Sequence, residues 1–419
     1  FPALANFQQR WDSIDMFKYD PQIRPVIVLA LLTAACLVGD SMLYIVMPTH
    51  WREFGLDSLW EVGILLSANR LVRLPLNPLV GWVYKRISTR QGVLIAAVLA
   101  LLTTLSYGFV KGFYPLLLIR CIWGVAWAFL RLGSFFAIAD CAEDNNRGHC
   151  MGVFNGLYRL GSLAGMLAGG FIADLFGLAA TALFFGAITL SAIPAAFRHV
   201  PDAKNHNKAK PEEPTPIGVL WRDSAIFWAL TTGAVVAMIY QGIFTATLSY
   251  LVQTHNSSTV HLIGFAFGAA SLAGILQAIR WAWEPWLAPW VGIKSDGRHG
   301  RRKVLLLSLL LATLLFCLLP LDIPLLPWLL VVMGVQVTAT ALTTLTDAVA
   351  ADAATRASKV LVLTAYSLAI DLGSAIGPII GYVLNSAIDP YAAYWAAALC
   401  LLLLSLAWLV PNKEPQVSA

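Results

Sequence analysis

Charged residues are scarce in this sequence. Asp, Glu, Lys and Arg make up 12% of its 419 residues, while 58% of the residues are hydrophobic. Soluble proteins contain about 25% charged and about 45–50% apolar residues, so this chain lacks the polar surface that would cover a core in water. The composition excludes a string of soluble domains, a disordered chain and, despite the net charge of +5, a nucleic-acid-binding protein. It predicts an integral membrane protein whose main partner is the lipid bilayer.

Motifs for catalysis, metal binding and ATP hydrolysis are also missing. The chain has no G-x-x-x-x-G-K-[ST] loop and no H-E-x-x-H pair, so nothing indicates a nucleotide or zinc site. Its six cysteines form no C-x-x-C pair, and a cysteine within an apolar run behaves as a small hydrophobic residue. We therefore expect a protein that is not an enzyme, holds no metal or other cofactor, and uses a proton gradient.

Long apolar stretches take the place of these motifs. A membrane-spanning helix needs about 20 predominantly apolar residues. Twelve stretches are long enough: 26–48, 60–84, 92–111, 114–140, 151–175, 177–196, 224–252, 260–291, 304–322, 325–351, 358–386 and 391–411. We therefore expect an all-α membrane protein with twelve transmembrane helices.

Lys and Arg in the connections predict the orientation, because cytoplasmic loops carry an excess of both. Alternate connections, starting with the N-terminus, hold most of them, for example Lys85, Arg86 and Arg90, whereas the opposite connections hold Arg52 and Lys111. Both termini are therefore expected in the cytoplasm, and the membrane is expected to be a bacterial inner membrane.

One long polar connection divides the chain into two halves. The predicted organisation is a cytoplasmic N-terminal segment 1–24, a six-helix bundle 25–197, a cytoplasmic linker 198–223, a second six-helix bundle 224–411 and a cytoplasmic tail 412–419. An internal repeat supports it, since Gly161 and Gly165 of span five recur in span eleven as Gly373 and Gly377, 212 positions later. Because the halves have the same orientation, we expect parallel repeats related by an axis along the membrane normal.

The connection after span eight carries a motif with a family likeness. The segment Gly292–Lys303, which contains Asp296 and Arg301, closely resembles the signature loop G-x-x-x-D-x-x-G-R-[KR] of the major facilitator superfamily. The counterpart after span two begins at Gly81 and has Lys85 in place of the aspartate. The resemblance implies two six-helix bundles and transport by alternating access, with Gly81, Gly292, Asp296 and Arg301 in the conformational change.

Two further motifs resemble the drug/H⁺ antiporter branch of that superfamily. Arg120, in the segment R-C-I-W-G, matches its span-four motif R-x-x-x-G, which implies a part in proton coupling. The run Gly161–Gly170 resembles its span-five motif, although the expected Gly-Pro is here Gly165-Met166. Glycines spaced by four residues let helices approach closely and slide. We therefore expect conformational roles for Gly161, Gly165, Gly373, Gly377 and Pro378, and for Asp140 at the inner end of span four.

Ionisable residues inside the spans indicate function, because each costs about 2.5–3.5 kcal/mol at a helix centre on insertion scales. Asp40 lies near the middle of span one. Arg70 and Arg73 lie at similar depth in span two, and Asn77 follows one turn later. We expect Asp40 to pair with Arg70 or Arg73 and, on protonation, to release the arginine for substrate. The alternative is a permanent salt bridge that fixes spans one and two.

Arginines outnumber acids inside the first half. Arg120 and Arg131 share a face of span four, and Arg159 lies in span five. A cavity this positive favours an anionic substrate group held by guanidinium contacts, and Trp127 is expected to offer a stacking surface. The alternative is that Arg120 and Arg159 cap backbone carbonyls.

Span eight of the second half carries a polar stripe. Its members are Gln277, Arg280, Trp281 and Glu284. Arg280 and Glu284 either neutralise each other as i,i+4 neighbours or take part in coupling. Asp371, at mid-depth in span eleven, is a second candidate for protonation or a partner of Arg280. Tyr240 and Gln241 of span seven are expected to contact substrate with the stripe.

The leading interpretation is a monomeric, proton-coupled secondary active transporter that exports an anionic or amphipathic small molecule. Proton coupling is assigned to Asp40, Arg120, Glu284 and Asp371. A lipid or glycolipid flippase is the first alternative, because a charged first half beside a more apolar second half suits a headgroup with acyl chains. An organic-anion/H⁺ symporter is the second. A membrane sensor or scaffold is disfavoured, because buried charges mark transport pathways.

Overall fold

The computed structural model describes residues 23–141, 147–200, 218–256, 259–262, 265–296, 300–354 and 359–409. The predicted N-terminal segment, most of the predicted linker and the predicted C-terminal tail lie outside these residues.

The first half consists of six helices in the described residues. They are α1 Ile23–Thr49, α2 Leu59–Tyr84, α3 Thr89–Ser106, α4 Phe113–Cys141, and the stretch Arg147–His199, which Gly177 divides into α5 (147–176) and α6 (178–199). Gly177 has φ 79° and ψ 178°, a conformation that only glycine adopts without strain. The predicted boundary between spans five and six is confirmed at this residue.

The second half begins with a single helical turn, Val219–Arg222, and continues with six helices. They are α7, made of Ser224–Ala237, the π-helical Met238–Phe244 and Thr245–Asn256, then α8 Ala269–Asp296, α9 Arg301–Leu318, α10 Leu325–Ala353, α11 Lys359–Ala387 and α12 Ala392–Leu409. The expectation of twelve helices in two bundles is thereby confirmed.

A short hairpin precedes α8, and here the sequence prediction is wrong. Strands β1 Thr259–Leu262 and β2 Phe265–Gly268 pair antiparallel, with Thr259 opposite Gly268. Span eight was expected to begin at residue 260, but the helix begins at Ala269. The segment is rich in β-branched and aromatic residues, which favour strands over helix, and apolar character alone did not separate the two.

Eight helical segments of the described residues are long and apolar enough to cross a membrane. One of them, Gly156–His199, contains 44 residues and is two spans because of the break at Gly177. Helices α2, α8 and α9 are not among the eight. Helices α2 and α8 contain charged residues of the functional site. Helix α9 begins with the basic residues Arg301 and Arg302.

Packing divides the molecule into an outer part shared by both halves and separate inner parts. Here the outer end is the one opposite the basic loops. Helices α1–α7, α2–α11 and α5–α8 contact each other across the halves. One continuous apolar cluster joins residues such as Met47 and Leu66 of the first half to Leu251 and Trp328 of the second. The inner ends have clusters of their own, one around Trp123 in the first half and one in the second.

The internal repeat is also visible in how the basic loops are anchored. Arg90 Nε, at the start of α3, donates to the carbonyl of Val200 after α6 (2.8 Å). Arg302 Nε, at the start of α9, donates to the carbonyl of Trp408 at the end of α12 (3.0 Å). Arg90 and Arg302 are 212 positions apart, the same offset as the glycines of spans five and eleven.

Candidate functional site

A buried ion pair links α1 and α4. Arg120 Nη1 donates to Asp40 Oδ1, and Arg120 Nε donates to the carbonyl of Leu65 (2.8 Å). Asn69 Nδ2 also donates to Asp40 Oδ1 (3.3 Å). Arg120 is 0% exposed and Asp40 6%, so each charge relies on the other for compensation.

The expected pairing of Asp40 with Arg70 or Arg73 is therefore wrong, as is a salt bridge between spans one and two. Sequence depth placed these groups at one level but could not fix which helix faces α1. The side of α2 that meets Asp40 presents Asn69. The alternative role of Arg120 as a carbonyl cap is met in part, because its Nε binds Leu65 while its Nη1 binds Asp40.

A second charged group lies at mid-depth between α2, α4 and α11. The charges that act on the Arg73 guanidinium are those of Asp371, Arg70 and Arg131. Arg70 lies over the ring of Tyr44, with 5.8 Å from its Cζ to the ring centroid. Arg73 Nε is buried and has no hydrogen-bond partner. Arg73 is thus the residue of this group on which a carboxylate of the other half acts.

A salt bridge crosses the halves between α5 and α8. Arg159 Nη1 lies 3.0 Å from Glu284 Oε1, and the side chains are 45% and 23% exposed. Trp281 lies between two guanidinium groups, with Arg159 Cζ 5.5 Å and Arg280 Cζ 5.4 Å from its ring centroid. Glu284 therefore forms its salt bridge with Arg159. The alternative in which Arg280 and Glu284 pair as neighbours on α8 is not the salt bridge that the structure shows.

Asp347 of α10 shows that the space around this bridge is open. Its Oδ1 accepts a hydrogen bond from Tyr366 of α11 (2.8 Å), and the charges of Arg159 and Glu284 act on it. Asp347 is nevertheless exposed. A carboxylate that is exposed while surrounded by α5, α8, α10 and α11 lines an open cavity between the halves.

Polar side chains of α7, α8 and α10 are enclosed within the second half. Tyr240 Oη bonds Thr338 Oγ1 (2.8 Å) and is fully buried. Gln277 and Gln336 are also buried, and neither side-chain amide atom of either residue has a hydrogen-bond partner. Burying such groups without partners costs about 1–3 kcal/mol each, so this region is polar at an energetic cost.

The outer ends of the halves are tied together by Asp174 at the end of α5. Asp174 Oδ2 accepts from the backbone N–H (2.9 Å) and the hydroxyl (2.6 Å) of Ser271 in the first turn of α8. Asp174 Oδ1 lies 3.8 Å from Nε2 of His50, just after α1. This contact closes the cavity at its outer end, whereas the inner ends keep separate cores.

These features describe twelve helices in two repeated halves around a charged central cavity. A family model described as Major Facilitator Superfamily matches residues 29–283 and 284–419. The chain belongs to the Major Facilitator Superfamily. This is a family of membrane transporters and not of enzymes.

Sequence relatives of this superfamily member are distant. It is 25% identical over 186 residues to an uncharacterized MFS-type transporter of Methanocaldococcus jannaschii, covering 44% of this chain and 48% of that protein. It is 31% identical over 147 residues to the chromaffin granule amine transporter of Rattus norvegicus, covering 33% and 28%. The matched regions therefore span less than half the length of these curated relatives.

Solved structures share the fold over nearly the whole chain. A bacterial homolog of the human lysosomal transporter Spinster, in an inward-facing and unoccupied conformation, superposes with a TM-score of 0.70 at 15% identity and covers 93% of this chain and 97% of its own. A peptide transporter POT in complex with sulfate gives 0.72 at 14%, covering 94% of each. At these identities the likeness concerns the superfamily fold alone.

The expected gating residues of this superfamily member fall into two groups. Gly161 and Gly165 pack on the backbone of Ala34 and Val38, and Gly373 and Gly377 pack on Ala234 and Gly242. Close approach of α5 to α1 and of α11 to α7 is thus present in both repeats. Pro378 offers its carbonyl to the close contact with Gly63 of α2. A Cβ at Gly81 would lie 3.8 Å from Leu132 Cδ2, an ordinary contact, and a Cβ at Gly292 would meet nothing within 4 Å.

Other expected residues lie apart from the cavity. Asn77 is exposed, and Gln241 is half-buried in the π-helical turn. Trp127 packs against Trp123 (6.4 Å between centroids) and Tyr158 (5.9 Å). Arg301 pairs with Asp352. The side chains of Asp140 and Asp296 lie outside the described residues.

Several site residues were missed by sequence reasoning. Asn69, Tyr107 and Tyr366 are neutral, so a search for charges within spans passed over them. Asp174 lies close to the end of span five and could have been found, because it is an acidic residue in an apolar run.

Proposed function

We propose that the chain is a proton-coupled secondary active transporter that exports an anionic or amphipathic small molecule by alternating access. One observation carries this proposal. Arg70, Arg73, Arg131, Arg159 and Arg280 are opposed around the cavity by Asp347, Asp371 and Glu284. The remaining positive charge favours an anionic substrate, which the guanidinium groups can bind with paired hydrogen bonds.

Arg73 is the residue we assign to the anionic group of the substrate. Its Nε is buried without a partner, and Arg70 and Arg131 add further positive charge near it. Asp371 of the other half acts on Arg73 as its counter-charge. We assign proton uptake to Asp40 and Asp371. Protonation of Asp371 changes the charge beside Arg73, which links proton binding to substrate binding.

Alternating access follows from the distribution of contacts between the halves. The halves share an apolar core and the Asp174–Ser271 contact at their outer ends, and have separate cores at their inner ends. The cavity in this arrangement is open to the side that the basic loops assign to the cytoplasm. Rocking of the halves around the central charges would expose them to the outer side.

The relatives support transport of small molecules, and one of them supports the export direction. A protein named efflux pump aflT of Aspergillus parasiticus is 30% identical over 147 residues. Amine transporters are also among the relatives. A substrate that combines an anionic group with an amine would fit Arg73 at one end and Asp347 at the other. A lipid or glycolipid flippase stays the alternative, although Arg280, Glu284, Asp347 and Asp371 place charges in the second half as well.

The proposal is tested by transport into proteoliposomes under an imposed pH gradient, with radiolabelled organic anions and zwitterions as substrates. Arg73→Ala is expected to abolish saturable uptake, while Arg86→Ala, which removes an arginine stacked on Trp82 outside the cavity, is the matched control and is expected to transport normally. Cargo that moves without response to the pH gradient would contradict proton coupling. Uptake restricted to cationic substrates would contradict the assignment of Arg73.

A further inference from the structure

A cavity lies on the outer face of the first half, away from the space between the halves. It has a volume of about 240 Å³ and is lined by Glu53, Phe54, Tyr107, Gly108, Val110, Lys111, Leu178 and Ala179. Glu53 and Lys111 are exposed, so the cavity opens to the outer solution, whereas Tyr107 is 1% exposed. The cavity therefore runs from a charged rim to the buried side chain of Tyr107.

Tyr107 connects this cavity to the buried ion pair. Arg120 Nη1 donates to Tyr107 Oη at 3.5 Å, and the same nitrogen donates to Asp40 Oδ1. The tyrosine hydroxyl and the carboxylate therefore share one guanidinium nitrogen as a neighbour. The pair itself is buried, with Arg120 0% and Asp40 6% exposed.

Several polar atoms around the pair lack a hydrogen-bond partner. They are Arg120 Nη2, Asn69 Oδ1, Ser67 Oγ and Thr104 Oγ1, all buried. A buried polar group without a partner costs about 1–3 kcal/mol, and ordered water is the usual partner for such groups. The surroundings of Asp40 are thus suited to a short chain of water molecules.

We propose that this outer cavity is the entry by which protons from the outer solution reach Asp40, through water and the hydroxyl of Tyr107. The inference rests on the proposed proton coupling and adds a route to it. Water would fill the cavity between the rim and Tyr107. The carboxylate of Glu53 at the rim would attract hydronium. The ammonium group of Lys111, which also lines the cavity, offsets the negative charge of Glu53.

The step itself is a simple proton transfer. A hydronium ion gives its proton, by way of the water chain, to a carboxylate oxygen of Asp40, which becomes a neutral carboxylic acid, and water remains. The Arg120 guanidinium keeps its proton and loses its anionic partner. The groups that donate hydrogen bonds to Asp40 are Arg120 from α4 and Asn69 from α2, and the hydroxyl of Tyr107 lies beside the same Arg120 nitrogen. The freed Arg120 would then be held by Leu65 and Tyr107 alone.

Filling the cavity tests the proposal. Leu178→Trp places a large ring in the cavity, and Leu175→Trp makes the same substitution at a side chain that is 72% exposed, which serves as the matched control. Tyr107→Phe removes the hydroxyl but keeps the ring. The measurement is transport in proteoliposomes at fixed inner pH and varied outer pH, together with substrate exchange at equal pH on both sides.

In the wild type and in Leu175→Trp, transport is expected to follow the outer pH. Leu178→Trp and Tyr107→Phe are expected to slow pH-driven transport about tenfold or more, the equivalent of about 1.4 kcal/mol on the barrier, with exchange at equal pH unchanged. Unaltered dependence on outer pH in both variants would overturn the proton entry and leave the proposed function standing. A wild type that transports without any response to pH would overturn both.

Discussion

Arg159 of α5 and Glu284 of α8 form a salt bridge between the two halves, with 3.0 Å between Nη1 and Oε1. The internal repeat places opposite charges at the equivalent positions. Asp371 lies 212 positions after Arg159, and Arg73 lies 211 positions before Glu284. The charge of Asp371 acts on Arg73. The α5–α8 and α2–α11 interfaces thus carry opposite charges at repeat-equivalent positions, with the basic and acidic residues exchanged between the halves.

Exchanging the charges of the α5–α8 bridge tests whether it acts as a pair. Arg159→Glu and Glu284→Arg each place two like charges together, and each is expected to slow transport. The double variant is expected to recover because it restores the attraction. Since both side chains are partly exposed, the coupling is expected to be about 1 kcal/mol, or about fivefold in rate. Additive losses in the double variant would exclude a direct interaction.

The buried pair of Asp40 and Arg120 is expected to matter for folding as well as for transport. Arg120→Ala leaves a buried carboxylate uncompensated and should lower the free energy of unfolding by about 3–5 kcal/mol. Arg120→Lys should recover only part of this loss, because lysine cannot reach both Leu65 and Asp40 with a fixed fork. Thermal unfolding in detergent measures the stability of both variants relative to the wild type.

Asp40→Asn is the companion to these variants. It keeps the size of the side chain but leaves the buried Arg120 guanidinium without its counter-charge, so it is expected to be less stable than the wild type. Because the amide cannot take up a proton, transport by the folded protein should lose its dependence on the pH gradient. Full proton-coupled transport by this variant would exclude Asp40 from the coupling. An Arg120→Ala protein as stable as the wild type would show that the pair contributes nothing to folding.

The fold was largely predictable because its signal is long and redundant. Each span needs only some 20 apolar residues, and the glycine repeat fixed the relation between spans five and eleven. The segment before α8 is predicted as helix but forms a hairpin. Residues of strands and of helices can be equally apolar, so hydropathy does not distinguish the two. The hairpin pairs Thr259 with Gly268, and the hydropathy pattern used to find the spans does not indicate this pairing.

The contacts among the predicted site residues could not be predicted from the sequence. Depth along a helix can be read from a sequence, and it predicts Asp40, Arg70 and Arg73 near one level. Rotation about the helix axis cannot be read in the same way when polar residues occur on several faces. Asp40 therefore faces Arg120 and Asn69, while Arg73 faces the other half.

Close packing between α1 and α5 predicts a strong effect of a single methyl group. A Cβ at Gly165 would meet the carbonyl of Val38, whereas a Cβ at Gly156 would meet nothing within 4 Å. Gly165→Ala is expected to destabilise the protein by about 1–3 kcal/mol through overpacking. Gly156→Ala, on the same helix, is expected to be neutral or stabilising by up to about 1 kcal/mol. Thermal unfolding of the two variants in the same detergent distinguishes these outcomes. Equal stability of the two variants would contradict the close approach of α5 to α1 at Gly165.

The outer contact of Asp174 predicts a shift in the conformational equilibrium. Its carboxylate accepts two hydrogen bonds from Ser271 and lies 3.8 Å from His50, so Asp174→Ala removes the two hydrogen bonds that join the halves at their outer ends. A hydrogen bond to a charged group contributes about 1.5–3 kcal/mol, and its loss would populate outward-open states severalfold or more. Spin labels on cysteines introduced at positions 52 and 322, in a background without the native cysteines, should then report longer outer distances. Asp57→Asn, which neutralises an exposed carboxylate at the same end, should leave those distances unchanged. An unaltered distance distribution in Asp174→Ala would show that the apolar core alone closes the outer end.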